Sequence, residues 1–207
     1  QSMGSIDSLK LLNSSQADIA GFHFPDGPLA ETIAPKYLPL LNEDQHLLIQ
    51  LATREQGLII NSRVKKHITS FQDITRHSLK FLNRQKGSGT RTIFDALVKL
   101  HNINKKNIRG YEKEEFTHTA VAAMIASNQA DVGFGLKAAA MQFNLAFLPL
   151  VTENYVIAIK KSLPKESIET LRSLMKNKKL KDKIDRLPGY NTNLTGKRIH
   201  ADKLLQI

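Results

Sequence analysis

A basic, glycine-containing loop is the stretch of this sequence whose residue types are best suited to chemistry. It spans residues 83–92 and reads Asn-Arg-Gln-Lys-Gly-Ser-Gly-Thr-Arg-Thr. An apolar segment precedes it, and Ile93, Leu97 and Leu100 follow at helical spacing, so the pattern predicts strand, loop and helix. Ser88 is placed to cap that helix, whose first N–H groups are free to face an anion. The loop therefore predicts one wall of a site for an anion or small polar ligand, with a basic strand-to-helix turn as the alternative.

Two well-known phosphate motifs are excluded by the residues that follow the glycines. A Walker A loop needs Lys and then Ser or Thr after its last glycine, whereas Gly89 is followed by Thr90 and Arg91. A dinucleotide fingerprint needs a third glycine at position 92, which is Thr. We also find no Ser-His-Asp order, no paired carboxylates and no metal-ligand spacing, so the sequence predicts no catalytic residue, metal site or cofactor.

The composition excludes several further classes of protein. The 207 residues contain no cysteine, which excludes disulfides, thiolate catalysis and cysteine-based metal sites. No apolar run approaches the ~20 residues that a membrane-spanning helix needs, so we expect no membrane partner. The first three residues, Gln-Ser-Met, are typical of the scar of a cleaved purification tag, so we expect the natural N-terminus to differ.

The net charge of +11 is concentrated toward the C-terminus. From Lys160 to Ile207 there are 13 Lys or Arg and 5 Asp or Glu. A stretch of this kind is typical either of the solvated face of a lysine-rich helix or of a nucleic-acid surface. Because no basic segment has interleaved aromatic residues for base stacking, we favour the solvated helix. Contact with DNA is expected only through a domain outside this chain.

Strand and helix patterns alternate along the chain, which predicts an α/β fold with parallel sheets and crossover helices. Strands are predicted at 17–24, 46–51, 58–60, 130–135, 146–150 and 155–159, with a bend at 54–57 between the second and the third. Small or hydroxyl residues precede predicted helices at Gly4-Ser5, 117–119 and 133–135, as they do in the glycine loop. Ligands of open α/β sheets lie where helices begin, so several helix N-termini could hold one oxyanion together.

An ordered set of short segments resembles one known family. The segments are Gly4-Ser5 with Leu9, Ala17 to His23, Gln56-Gly57-Leu58, the glycine loop, Gly110-Tyr111, Thr117-His118, Ala130 to Gly135, Ala138-Ala139-Ala140, Phe147 to Leu150 and Glu153-Asn154-Tyr155. The set runs from Gly4 to about Tyr190. It resembles the periplasmic-binding-protein-like (type II) domain related to molybdate-binding proteins, of the kind attached to bacterial helix-turn-helix regulators.

The resemblance implies an α/β, two-lobe type II fold with parallel or mixed sheets and two crossing strands, near Ser78–Leu82 and Leu150–Tyr155. Lobe one would comprise residues 1–78 and 156–207, and lobe two residues 79–155 with the glycine loop. Family members usually have another strand and helix before the segment that corresponds to Gly4-Ser5. Lobe one is therefore expected to lack its first strand–helix unit, or to receive that wall from a second copy of the chain in a homodimer.

The resemblance also implies a function. The chain would be a cytoplasmic sensor domain that forms part of a transcriptional regulator. It would bind a small anion, such as molybdate or tungstate, between its lobes, and it would not be an enzyme. The alternative is an enzyme on the same scaffold that acts on a phosphorylated or carboxylate small molecule. Molybdate-binding relatives tend to place a Tyr where this chain has Phe134, which has no hydroxyl to donate. The predicted ligand contacts are Ser5, Arg84, Ser88, Gly89, Thr90, Arg91, Thr117, His118, Thr119, Phe134 and Tyr155.

Two of these residues have a competing structural role. Arg91 could pair with ligand charge, but it is also spaced for an ion pair with Asp95 four residues later on the same helix. Tyr155 would lie beside the second crossing strand, where packing is the ordinary role of a half-buried aromatic ring.

Overall fold

Two long strands carry the chain between two units. The computed structural model describes residues 4–201, in which β2 (His46–Ile60) and β6 (Ala146–Lys160) each span 15 residues. The unit boundaries fall inside these strands, at Arg54/Glu55 and at Val151/Thr152. Both are the crossing strands of a two-lobe fold, and the predicted α/β class with mixed sheets is confirmed.

The unit boundaries differ from the predicted lobes at the first crossing. The chain leaves the first unit after Arg54, whereas the sequence placed this crossing near Ser78–Leu82. Residues 55–78 belong to the second unit because β2 does not stop at a bend. Its second half continues as an antiparallel partner of β5 (Val132–Leu136), from Gln56 opposite Leu136 to Ile60 opposite Val132. The second crossing falls within the predicted range.

Gly57 explains why the polar segment in the middle of β2 was taken for a bend. A Cβ atom added at Gly57 would lie 2.0 Å from the backbone oxygen of Leu148 on β6. The glycine therefore permits a close approach of two backbones inside a continuous strand. The predicted separate strands 46–51 and 58–60 are one element, and so are the predicted strands 146–150 and 155–159.

In the first unit, the sheet is built by antiparallel pairs. Strand β1 (Ile19–Pro25) pairs with β6, which sets His23 opposite Tyr155 and Pro25 opposite Glu153. Two short strands, β7 (Tyr190–Asn191) and β8 (Arg198–Ile199), pair with β2. The helices of this unit are α1 (Ser5–Asn13), α2 (Pro28–Ile33), α7 (Lys165–Lys176) and α8 (Lys178–Asp185), with 3-10 turns at 34–36 and 38–40.

In the second unit, β3 (Phe81–Arg84) is the strand that leads into the glycine loop. It runs parallel to β5 and also to the short strand β4 (Glu114–Glu115), with Arg84 opposite Glu115. The helices are α3 (Asp73–Arg76), α4 (Gly89–Leu100), α5 (His118–Ala126) and α6 (Lys137–Gln142), with 3-10 turns at 65–67 and 105–107.

Aromatic side chains fix α4 against this sheet. The rings of Phe81 on β3 and Phe94 on α4 stack with centroids 4.4 Å apart, and Phe134 on β5 lies 5.7 Å from Phe94. All three are at most 1% exposed. Burying such a side chain contributes roughly 1.5–3 kcal/mol, so this cluster determines where the loop between β3 and α4 is held.

Two features are missing from the part of the chain that the structure describes. None of its helices combines the length and the apolar character needed to cross a membrane. Likewise, its His, Asp and Glu side chains form no group of three or more that could hold a metal ion.

Candidate functional site

The glycine loop forms the helix cap that the sequence predicted. Strand β3 ends at Arg84, α4 begins at Gly89, and the Ser88 hydroxyl accepts a hydrogen bond from the backbone N–H of Arg91 at 3.1 Å. Gly87 has φ +85, a conformation that other residues adopt only with strain. A Cβ added at Gly89 would meet no atom within 4 Å, so the space beside the first turn of α4 is open.

A second helix N-terminus lies against the first. Thr117 caps α5, its hydroxyl accepting from the N–H of Ala120 at 2.9 Å. In the first turn of α5, Nε2 of His118 lies 3.4 Å from the Thr90 hydroxyl on α4. On the other side of the imidazole, Nδ1 would be 3.0 Å from a Cβ added at Gly135, which lies on β5.

The structure thus brings together predicted residues from three separate segments of the second unit. They are Ser88, Gly89 and Thr90 from the loop, Thr117 and His118 from α5, and Gly135 from β5, where the predicted glycine turn at 133–135 is part of the strand. Thr119 follows in the same first turn of α5 and is exposed. Neutral hydroxyl and backbone N–H groups at two helix N-termini are a standard arrangement for holding an anion.

The arginine in the first turn of α4 is buried and forms ion pairs within the protein. The Arg91 side chain is 4% exposed, donates to Asp95 Oδ1 at 3.3 Å and to Glu114 Oε1 at 3.0 Å, and lies over the Tyr111 ring at 4.3 Å. Burial opposes its charge, but hydrogen bonds with Tyr111 and Asp95 outweigh that effect and raise the pKa of Arg91. The alternative role stated from the sequence, an ion pair with Asp95, is present, and the ligand role stays a prediction.

The other cations of the loop also have partners. Arg84 is 8% exposed and donates to the backbone oxygen of Phe116 at 2.9 Å and to the side chain of Gln85 at 3.1 Å. Lys86 pairs with Glu112 at 3.4 Å on the surface. The N–H groups of Arg84 and Arg91 thus donate to oxygens of the protein itself.

In the first unit, the predicted residue Ser5 starts α1 without capping it. The N-cap is Gly4, with no side-chain cap, and the Ser5 hydroxyl instead accepts from the backbone N–H of His23 at 3.1 Å. Ser5 also hydrogen-bonds the hydroxyl of Tyr37, whose burial raises its pKa to about 12. Ser5 therefore ties α1 to β1 in this structure, and its ligand role stays a prediction.

Tyr155 lies on β6 opposite His23. The two rings stack with centroids 4.3 Å apart and an angle of 11° between their planes. A Cβ at Gly21 would lie 2.7 Å from the Tyr155 hydroxyl, so the tyrosine ring lies across a strand position that only glycine leaves open. Burial, together with the positive charge of Arg54, lowers the pKa of His23 to about 4 and keeps this imidazole neutral.

Sequence reasoning missed a group of charged residues beside this pair. Arg54 Nε donates to Glu153 Oε2 at 2.8 Å, and the carboxylate is 2% exposed. The Asp26 carboxylate accepts from the side-chain amide of Asn154, which in turn accepts from Gln50. Burial is the main cause that raises the pKa of Asp26 to about 6, and the nearby charge of Glu153 adds to it.

The missed group had only a weak signal in the sequence. Asp26 follows the predicted strand 17–24 and stands between Pro25 and Gly27, residues typical of a turn, and Glu153-Asn154 is part of a family segment. Their partners lie about a hundred residues away in the chain, as the Arg54–Glu153 and Asp26–Asn154 contacts show. The buried ring of Phe134, by contrast, packs against Phe94, which favours a packing role for this predicted contact.

The fold and the site together place this chain in a known superfamily. A family model described as the PBP superfamily domain matches residues 1–176, and the chain belongs to this family. The predicted resemblance is thereby confirmed.

One curated relative matches over nearly the whole chain. It is "Uncharacterized protein YvgK" of Bacillus subtilis (strain 168), which is 30% identical over 197 residues, covering 95% of this chain and 63% of the relative. The chain thus spans less than two thirds of the length of that relative.

Solved structures with a similar fold include transport proteins. One is an ABC-type phosphate transport receptor from Vibrio cholerae, with 14% identity, a TM-score of 0.61, and coverage of 91% of this chain and 86% of that chain. Another is the tungstate ABC transporter from Geobacter sulfurreducens, with 14% identity, a TM-score of 0.59, and coverage of 86% and 81%. At this identity the likeness concerns the fold.

Proposed function

We propose that this protein binds a small anion at the joined N-termini of α4 and α5. One observation carries the proposal: the 3.4 Å contact between Thr90 and His118 holds two helix N-termini side by side. Each N-terminus presents unpaired N–H groups and a partial positive charge, so their sum favours a negatively charged ligand.

The neighbouring charges support a ligand held by neutral groups. Arg91 and Arg84 stabilise the protein itself, and the capping hydroxyls of Ser88 and Thr117 each accept from a backbone N–H. A hydroxyl that accepts in this way keeps its own hydrogen available to donate to an anion. We therefore expect the affinity to depend only weakly on ionic strength, since few unpaired cations take part.

A tetrahedral oxyanion of the molybdate or tungstate type is the first ligand to test. Two solved structures with a similar fold are a phosphate transport receptor and a tungstate ABC transporter, which supports this class. We propose further that the domain is the cytoplasmic sensor of a transcriptional regulator whose DNA-reading part lies outside this chain. The greater length of the Bacillus relative supports an additional domain.

Titration calorimetry with molybdate, tungstate, sulfate, phosphate and small organic acids tests the proposal. We expect at least one of them to bind the wild-type protein, and Ser88→Ala to weaken that binding. Ser127→Ala is the matched control, because its hydroxyl bonds Met124 at the opposite end of α5. Binding that is unchanged in Ser88→Ala, or no binding of any anion, would rule out this site.

A second function, an enzyme on the same scaffold, is favoured by one specific observation. The Glu153 carboxyl lies near both the neutral imidazole of His23 and the carboxyl of Asp26, and the pKa of Asp26 near 6 suits proton transfer at neutral pH. Incubation with p-nitrophenyl phosphate and with carboxylate esters tests this. Turnover that disappears in Asp26→Asn supports an enzyme, and turnover that survives in Asp26→Asn, or none at all, counts against it.

A further inference from the structure

The side chain of Phe116 is exposed at the sheet edge that carries the glycine loop. It is 74% exposed, more than any other large apolar side chain in the described range 4–201. A single exposed apolar residue needs no explanation by itself. The surroundings of Phe116, however, are those of the proposed anion site.

The two chain neighbours of Phe116 place it beside that site. Arg84 and Glu115 are partners in the parallel pair of β3 and β4, and the N–H of Gln85 donates to the oxygen of Glu115 at 3.1 Å. Phe116 therefore follows β4 at the edge where the loop leaves β3. The next residue, Thr117, is the N-cap of α5, so Phe116 directly precedes one of the two helix N-termini.

A buried charge fixes the backbone at this position. The guanidinium of Arg84, a residue 8% exposed, donates to the backbone oxygen of Phe116 at 2.9 Å. Hydrogen bonds from charged donors are about twice as strong as neutral ones. The protein thus holds the backbone of Phe116 in a defined place while leaving its ring in contact with solvent.

We propose that Phe116 forms an aromatic wall of the anion site and that the ligand is an organic anion with a flat apolar group next to its charged head. This inference rests on the proposed function and narrows its ligand class. The charged head meets the N-termini of α4 and α5, and the flat group stacks on the Phe116 ring. An inorganic oxyanion contacts the N-termini of α4 and α5 but not the Phe116 ring, and it is therefore bound more weakly.

Phenylphosphonate and methylphosphonate are probes that separate the two parts of the site, because they share a head group and differ in the ring. For the wild-type protein we expect calorimetry to give about 3- to 10-fold tighter binding of phenylphosphonate, the gain typical of an aromatic pair. Phe116→Ala should reduce this ratio to about 1 and leave the affinity for methylphosphonate unchanged. Phe116→Tyr should retain the ratio.

Leu100→Ala is the matched control, because this residue is 50% exposed and lies at the opposite end of α4 from Ser88. It should leave the ratio as in the wild type, and all three variants should unfold at the wild-type midpoint because the altered side chains are exposed. Equal binding of the two phosphonates by the wild type, or a ratio that survives in Phe116→Ala, would overturn the inference. In either case, binding of methylphosphonate or molybdate would still support the proposed anion site. If the wild-type protein binds no anion at all, both the anion site and the aromatic wall are ruled out.

Discussion

The hydroxyl of Thr90 on α4 and Nε2 of His118 on α5 lie 3.4 Å apart, and this contact joins the first turns of two helices that are far apart in sequence. Both residues follow N-caps, Ser88 and Thr117, whose side chains satisfy backbone N–H groups of the same helices. The pair therefore aligns two partial positive charges at one place on the second unit.

Thr90→Val tests whether this contact matters for binding. Valine has a similar shape but cannot bond His118, so we expect weaker anion binding and a loss of about 0.5–1.5 kcal/mol in the free energy of unfolding. Thr92→Val is the control, since its hydroxyl bonds the Ser88 backbone oxygen within the same segment. Calorimetry and urea unfolding give the two readouts. Equal loss of affinity in both variants would contradict a special role for the Thr90–His118 contact.

Gly89→Ala separates binding from folding. Apart from the chain neighbours of Gly89 and the backbone of its own helix, no atom lies within 4 Å of the added methyl group, and alanine suits a helix better than glycine, so stability should stay equal or rise. A ligand that approaches the backbone of the first turn would meet the methyl group, and we expect its affinity to fall at least about tenfold. Calorimetry and thermal unfolding check both statements. An affinity equal to that of wild type would mean that no ligand comes near Gly89.

Gly57→Ala should have the opposite effect, on folding. Its Cβ would lie 2.0 Å from the oxygen of Leu148, a backbone atom that cannot move without disturbing β6. We expect a loss of several kcal/mol, roughly 3 or more, because the strain falls on two continuous strands. The midpoint of urea unfolding measures it, with Gly89→Ala as the comparison. A midpoint close to that of wild type would show that the close approach is not rigid.

Arg91→Met tests whether the buried arginine serves the structure. Its removal leaves Asp95 and Glu114 without this partner, and we expect a loss of about 2–4 kcal/mol in the free energy of unfolding. Arg172→Met is the matched control on α7, where an exposed pair with Glu169 should contribute about 0–0.5 kcal/mol. Similar effects of the two changes, measured by urea unfolding, would show that the Arg91 network is not a stabilising element.

The pH dependence of stability should reveal His23 and Asp26 acting in opposite directions. The pKa of His23 falls from 6.5 to about 4 on folding, so the unfolded chain binds more protons and stability drops as the pH falls between these values. The pKa of Asp26 rises from 3.8 to about 6, so the folded protein binds more protons and stability drops as the pH rises between those values.

Two variants expose the separate contributions of His23 and Asp26. Asp26→Asn keeps an oxygen that accepts from Asn154, and it should lose more stability than wild type when the pH is lowered from 7 to 4.5. His23→Gln should lose less than wild type over the same range, and the double variant should lie between the two. Urea unfolding at both pH values measures the differences. Identical pH dependence in the wild type and both single variants would show that neither pKa is shifted.

Much of the local structure was readable from the sequence. The glycine loop, the Ser88 and Thr117 caps, and the Arg91–Asp95 pair at i,i+4 all depend on residues within a few positions of each other. The set of short segments also indicated the two-lobe family, which the match over residues 1–176 confirmed.

The first lobe boundary and the continuity of β2 were not readable in this way. The polar residues around Gly57 look like a bend when only their neighbours in the chain are considered. Strand β5 and the backbone of Leu148 are what keep β2 extended there. The Arg54–Glu153 pair and the raised pKa of Asp26 depend likewise on distant partners.

The sequence alone determined the caps of α4 and α5 and the class of fold, because hydrogen bonds between near neighbours and the alternation of strand and helix patterns are local. Only the tertiary structure decided which polar groups form hydrogen bonds and ion pairs inside the protein. The loop's arginines are bound to Glu114, Asp95 and the Phe116 backbone. Burial and pairing depend on residues that meet only after folding, and they leave neutral donors and one exposed ring at the edge proposed to bind the ligand.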